Sequence, residues 1–160
     1  MKHCFRVGLY RQGLMHDLSK YAPAEFLVGV KYYQGNRSPN SAEREIVGYS
    51  SAWLRHKGRN KHHLEYWIDY SIDPNKTMVG CEMPVKYVVE MFCDRVAASK
   101  NYNKGKYKDS FPYEYYLNSK EHYIVNEKTG ELLGSLLKML SEKGESYTFD
   151  YIKRELLNKS

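Results

Sequence analysis

Cysteine, histidine and long apolar runs are all scarce in this 160-residue chain. Its three cysteines, Cys4, Cys81 and Cys93, are odd in number and show no CxxC spacing. That argues against a disulfide framework or a structural zinc knot and for a reducing compartment, so the expected location is cytoplasmic. No run of about 18 apolar residues occurs, so no membrane span is expected. The opening MKHCFRVGLYRQGL is too polar for a secretory leader. Convincing strand alternation is missing too, and helical spacing dominates. No repeat, low-complexity tract or composition shift divides the chain. What remains is one all-α domain over 1–160, a single-domain helical bundle of about 7–8 helices.

What is present begins with charge. Lysine and arginine number 25 against 19 acids, for a net charge of +6 and a pI near 9.1. A mildly basic protein suits acidic partners: phosphorylated small molecules, nucleotides or nucleic acid. The sixteen tyrosines read first as amphipathic wall residues, ring inward and hydroxyl at water. Stacking surfaces for single strands are the alternative.

Apolar spacing and caps predict the helices. The first spans 2–15, and Pro23 in a first turn with Glu25 close behind opens a second over about 23–33. QGNRSPN at 34–40 is turn material. Ser41 starts a helix that Gly58 ends, and Asn60 caps the next, 61–71, which carries paired histidines. A loop at 73–84 leads to a long helix from Pro84 to about 101, striped by Val85, Val88, Val89, Phe92 and Val96. After a basic loop at 103–110, three short helices are expected near 111–121, 129–143 and 147–158. Thr129 with Glu131, and Thr148 with Asp150, mark the last two starts.

Five of the six histidines fall within the first 63 residues. His16 adjoins Asp17 where two helices meet. His56, His62 and His63 lie together in RHKGRNKHHLEYW. Asp94 sits in the otherwise apolar VVEMFCDRVAA, and a buried acid must be paired, protonated or metal-bound. Each residue has an ordinary explanation alone. His3 lies at a fraying terminus. His56 suits a helix C-terminus. Asp94 pairs with Arg95 or with a lysine elsewhere, Glu65 with a lysine on its own face, and Asn60 is a cap. On a regular helix His62 and His63 diverge by about 100°, so both cannot face one side. Taken together, one metal site is more economical than these separate explanations. Imidazole and carboxylate donors without thiolate suit Mn, Fe, Ni, Co or Zn. His122 belongs to no cluster.

The order His3, His16-Asp17, His56, His62-His63, Asp94 resembles the HD-domain superfamily of metal-dependent phosphohydrolases, an α-helical bundle with the pattern H…HD…D. Its binuclear branch adds histidines before the last aspartate, including a pair like His62-His63. HDLSKYAPAEF, AWLRHKGRNKHHLEYW and MPVKYVVEMFCDRVAA look like a small bacterial and phage HD-like family of unknown function. The resemblance covers roughly residues 1–100, the metal-site part, and leaves the C-terminal helices, about 109–158, without a counterpart. It implies that His3, His16, Asp17 and Asp94 hold a first metal. Asp17 bridges to a second, held by His56, His62 and His63. The expected cofactor is one or two divalent transition metal ions, which activate water for attack on phosphorus.

Glu65 or Asp69 would hydrogen-bond a ligand histidine. Lys20, Arg59 and Lys61 flank the cluster and would neutralise substrate phosphate. Asp17, Glu65 and Lys20 are thus the expected catalytic set. The expected substrate is a phosphate monoester such as a nucleotide, with a diester close behind. Three features depart from the superfamily. The step from His56 to His62-His63 is short, His3 lies almost at the start, and the GYP motif of cyclic-dinucleotide phosphodiesterases is absent, which argues against that substrate. Two other readings stay open: an HD-like metal protein with diiron oxygen chemistry or no catalysis, and a non-enzymatic basic helical module that binds nucleic acid.

Overall fold

The structure is a computed structural model that describes residues 1–35 and 37–158. Asn36, within the expected turn at 34–40, and Lys159 and Ser160 lie outside the described residues. The fold is a single-domain helical one: α1 (Lys2–Arg6), α2 (Tyr10–Met15), α3 (Pro23–Lys31), α4 (Pro39–Val47), α5 (Ser51–Lys57), α6 (Val85–Tyr102), α7 (Phe111–Ser119) and α8 (Glu127–Tyr151). Two three-residue strands, β1 (Ile68–Tyr70) and β2 (Met78–Gly80), pair antiparallel with Ile68 opposite Gly80. No described helix is long and apolar enough to cross a membrane.

The core forms between α6 and α8. Val88, Val89, Phe92 and Val96 of α6 have no exposed surface. They meet Leu133, Leu136, Leu137, Leu140 and Phe149 of α8, which are equally buried. The rings of Phe92 and Phe149 lie 5.7 Å apart. From the N-terminal side α1 packs onto α6, where Cys4 and Cys93 are both buried in the core. Met83 N–H donates to Thr129 Oγ1 at 3.0 Å, which ties the entry of α6 to α8.

Several expected boundaries are corrected by the backbone. The helix expected over 2–15 is broken into α1 and α2, and the one expected from Ser41 is broken into α4 and α5. Gly8 and Gly48 stand at the breaks with φ of 88° each, a region that side chains other than glycine rarely adopt. Ser50 then restarts the chain as N-cap of α5. Its Oγ accepts from Trp53 N–H at 3.1 Å and donates to the buried Glu43 at 2.6 Å.

The segment 61–71 is not an α-helix. It is a turn, a short 3-10 helix at Leu64–Trp67 and strand β1. Asn60 closes α5 instead of opening a new helix: its Nδ2 donates to His56 O at 2.8 Å. The expected loop at 73–84 contains β2. The last two expected helices are present as the two helical stretches of α8, which meet at Gly144, whose backbone is not helical (φ 78°, ψ 172°), and a π turn follows at Ile152–Leu156. Asn126 caps α8, its Oδ1 accepting from Lys128 N–H at 3.1 Å, and Thr129 is inside it.

Candidate metal centre

Asp17 lies at the centre of the site. It follows α2 with φ of 59°, the one positive value at a non-glycine residue among the described residues. Aspartate tolerates this left-handed region better than most residues, but still at a cost, and such strain tends to mark functional positions. The two oxygens of its carboxylate face different groups. Oδ1 lies 3.2 Å from His56 Nε2 and 3.7 Å from His62 Nε2. Oδ2 lies 3.4 Å from His16 Nε2 and also pairs with Lys20 Nζ.

Four imidazoles pack around this carboxylate. Ring centroids are 4.2 Å apart for His62 and His63, 4.5 Å for His16 and His62, and 4.9 Å for His56 and His63. Both His62 and His63 turn inward, against the helical expectation. The turn at 61–63 lets neighbouring side chains converge where a helix would spread them.

The outer ring nitrogens are held by two glutamates. His16 Nδ1 lies 3.2 Å and His62 Nδ1 3.3 Å from Glu90 Oε1. His56 Nδ1 lies 3.0 Å from Glu25 Oε2, beside Ser19 and Asn60. A carboxylate that accepts from Nδ1–H fixes the tautomer and aims Nε2 at the centre. Asp17 Oδ1, His62 Nε2 and His63 Nε2 are buried without a hydrogen-bond partner. Buried polar atoms with nothing to bond call for a ligand.

These donors fit transition metal ions. An ion bonds imidazole nitrogen and carboxylate oxygen at about 2.0–2.2 Å, so donors that share it sit roughly 3–4 Å apart. Asp17, His56, His62 and His63 form one group within 4.8 Å, and His16, Asp17 and Asp94 another. In the second, His16 Nε2 is 3.2 Å from Asp94 Oδ1. Asp17 is common to both. A third group, His16, His62 and Glu90, reuses the outer nitrogens.

The charges are tightly interlocked. Burial alone would lower the pKa of His16, but hydrogen bonds to Asp94 and Glu90 and the charge of Asp17 push it up to about 10. Burial would raise the Asp17 carboxyl; the adjoining His56 imidazole and the charges of Lys20 and His16 hold it far below the usual carboxylate range instead. Burial opposes ionisation of Asp94 and Glu90 as well, and the histidines outweigh it in both. His63 moves the other way, to about 3, through burial and the neighbouring His62 and His56. An imidazole that resists protonation keeps its lone pair for a metal.

The structure does not bring every expected residue here. His3 joins none of the donor groups. Its ring lies 5.2 Å from that of Phe149, near Lys100 and Glu145, because α1 presents Cys4 to α6 and His3 to α8. Asp69 is exposed on β1 and accepts from Tyr70 N–H at 2.7 Å, so Glu90 and Glu25 take the orienting role expected of it or of Glu65. Glu65 lines a cavity of about 230 Å³ with His62, His63 and Asp94. Arg59 and Lys61 line another of about 460 Å³, with Arg11 and Lys86, that reaches His62 and Glu90. Asp94, expected as a metal ligand, meets His16 and not the salt-bridge partner Arg95 of its ordinary explanation. His122 is exposed in a 3-10 turn and joins none of the donor groups.

Glu90, Glu25, Arg11 and Lys86 were not anticipated. Glu90 had a readable signal: it precedes Asp94 by one turn, and residues four apart share a helix face. Glu25 resembled an ordinary acid of a first helical turn.

The chain belongs to the Family of unknown function (DUF5662), whose model matches residues 1–139. No curated protein and no solved structure matches it.

Proposed function

We propose that this protein is a metal-dependent phosphohydrolase that binds one or two divalent transition metal ions at the Asp17 cluster and cleaves a phosphate ester, with a nucleotide-like monoester as first choice. One observation carries the reading: the oxygens of Asp17 face separate donor groups, as a bridging carboxylate requires. The resemblance of His16-Asp17, His56, His62-His63 and Asp94 to the HD superfamily supports the same chemistry.

When bound, the metal supplies Lewis-acid activation of water and polarisation of the phosphoryl oxygen. The protein's own groups do the rest. Glu90 and Glu25 orient His16, His62 and His56. Glu65, on the wall of the cavity that contains His62, His63 and Asp94, would accept or return a proton. Lys20 pairs with Asp17 Oδ2 and is the cation nearest the bridging carboxylate. Arg59, Lys61, Arg11 and Lys86 make the 460 Å³ cavity strongly basic and attract an anionic substrate.

The test is phosphate release from a panel of phosphomonoesters and phosphodiesters by protein loaded in turn with Mn, Fe, Ni, Co and Zn. Turnover with at least one metal, abolished in Asp17→Asn, is expected. Full metal occupancy with no turnover on any ester would contradict the hydrolase reading.

A further inference from the structure

Arg95 follows Asp94 on α6, and its environment is unusual for a guanidinium. Its Nη1 is buried without a hydrogen-bond partner. Although Asp94 is adjacent in sequence, no ion pair among the described residues includes Arg95; Asp94 is engaged with His16 instead. The guanidinium lies 5.5 Å from the ring centre of Tyr123 and 5.9 Å from that of Tyr116. Aromatic faces hold its plane without consuming N–H donors.

Arg95 lies between two cavities, one of about 630 Å³ walled by Ala98, Ser99 and Phe111 and one beside the metal centre. Arg95 lines the 230 Å³ cavity together with His62, His63, Glu65 and Asp94. His62 is only 2% exposed, and its Nε2 is another buried atom without a partner. A buried charged donor left unpaired is costly, so its persistence beside unpaired histidine nitrogens points to a ligand that satisfies it. The backbone beneath is rigid, since Phe92 and Val96 on the same helix are fully buried in the core.

We propose that Arg95 binds the phosphoryl oxygens of the substrate in this cavity, and that the reacting group is seated here and not in the larger basic cavity. The substrate class rests on the phosphohydrolase reading. A planar guanidinium fork matches two oxygens of a phosphoryl group, which a lysine ammonium does not. Arg11, Arg59, Lys61 and Lys86 then act at longer range, and salt screens their contribution. Arg95 acts by direct contact in a partly buried cavity, where screening is weaker.

The test is calorimetric titration of inorganic phosphate into the full chain, with and without added Mn²⁺, at low and high salt. Arg95→Met should weaken phosphate binding about tenfold or more at both salt levels, with metal content unchanged. Arg95→Lys keeps the charge and the stem but loses the fork, and should fall between the two. It decides the matter if Arg95→Met does not fold. Lys61→Met should lose affinity at low salt only. Wild-type affinity in Arg95→Met, or in Arg95→Lys where that variant decides, would overturn the proposal. So would absence of phosphate binding by the wild type in both forms. A wild type that takes up no metal, yet binds phosphate through Arg95, would keep this anion site and remove the hydrolase reading. Turnover that persists with unchanged phosphate affinity in Arg95→Met would remove Arg95 alone.

Discussion

The two faces of α6 are built for opposite purposes. One face presents Val88, Val89, Phe92 and Val96, all fully buried against α8 and α1. The other presents Glu90 and Asp94, which meet the histidines. At about 100° per residue these two sets lie on nearly opposite sides of the same helix. The apolar face gains its stability from contacts that need no partner outside the chain. The acidic face gathers buried charge around atoms that the protein leaves unpaired. The packed core holds the second face still: two carboxylates one turn apart on a firmly packed helix are placed more accurately than loop residues would be.

That division can be broken from either side. The largest expected effect is on the apolar face. Phe92→Ala should cost about 3–5 kcal/mol of stability, read by urea denaturation. Metal binding should survive in whatever fraction stays folded. Next comes the acidic face. Glu90→Gln should lower metal affinity about 10–100-fold through loss of the acceptor for His16 and His62, with a far smaller shift in the unfolding midpoint than Phe92→Ala. If the two variants moved stability and metal affinity together, the faces would not be separate.

The smallest expected effect lies at the rim. Glu145 pairs with Arg6 and Lys100, linking α1, α6 and α8. Burial opposes its ionisation, but Lys100 prevails and lowers the pKa below 4.5. A depressed carboxyl stabilises the fold above its ordinary value, and the benefit disappears as pH falls through the lowered one. Glu145→Gln should therefore cost about 1 kcal/mol or less at neutral pH and nothing well below pH 4.5. A loss that persisted in acid would point to packing instead of charge.

The sequence made some of this legible and not the rest, for physical reasons. α6 was readable because 18 residues carry one continuous apolar stripe from a proline start. The breaks at Gly8 and Gly48 were not, because helical spacing continues on both sides of each. The hairpin was invisible because strands of three residues are too short to show alternation. HHLEYW has helical composition, but a helix cannot aim His62 and His63 at one point, and the chain adopts a turn. The histidine cluster was readable from its chain order and residue types. His3 fitted that order, and only the rotation of α1 sends it to Phe149. Glu90 and Glu25 act through contacts 74 and 31 residues away along the chain, which local spacing does not report.

The most direct measurement is the metal content of tag-free protein by mass spectrometry, after loading with Mn, Fe, Ni, Co or Zn, beside Asp17→Asn. About one or two ions per chain are expected in the wild type, as two donor groups sharing one carboxylate imply, with their loss in a variant that keeps its helicity. No metal in the wild type, or an undiminished content in Asp17→Asn, would contradict the claim that Asp17 is the centre of a metal site.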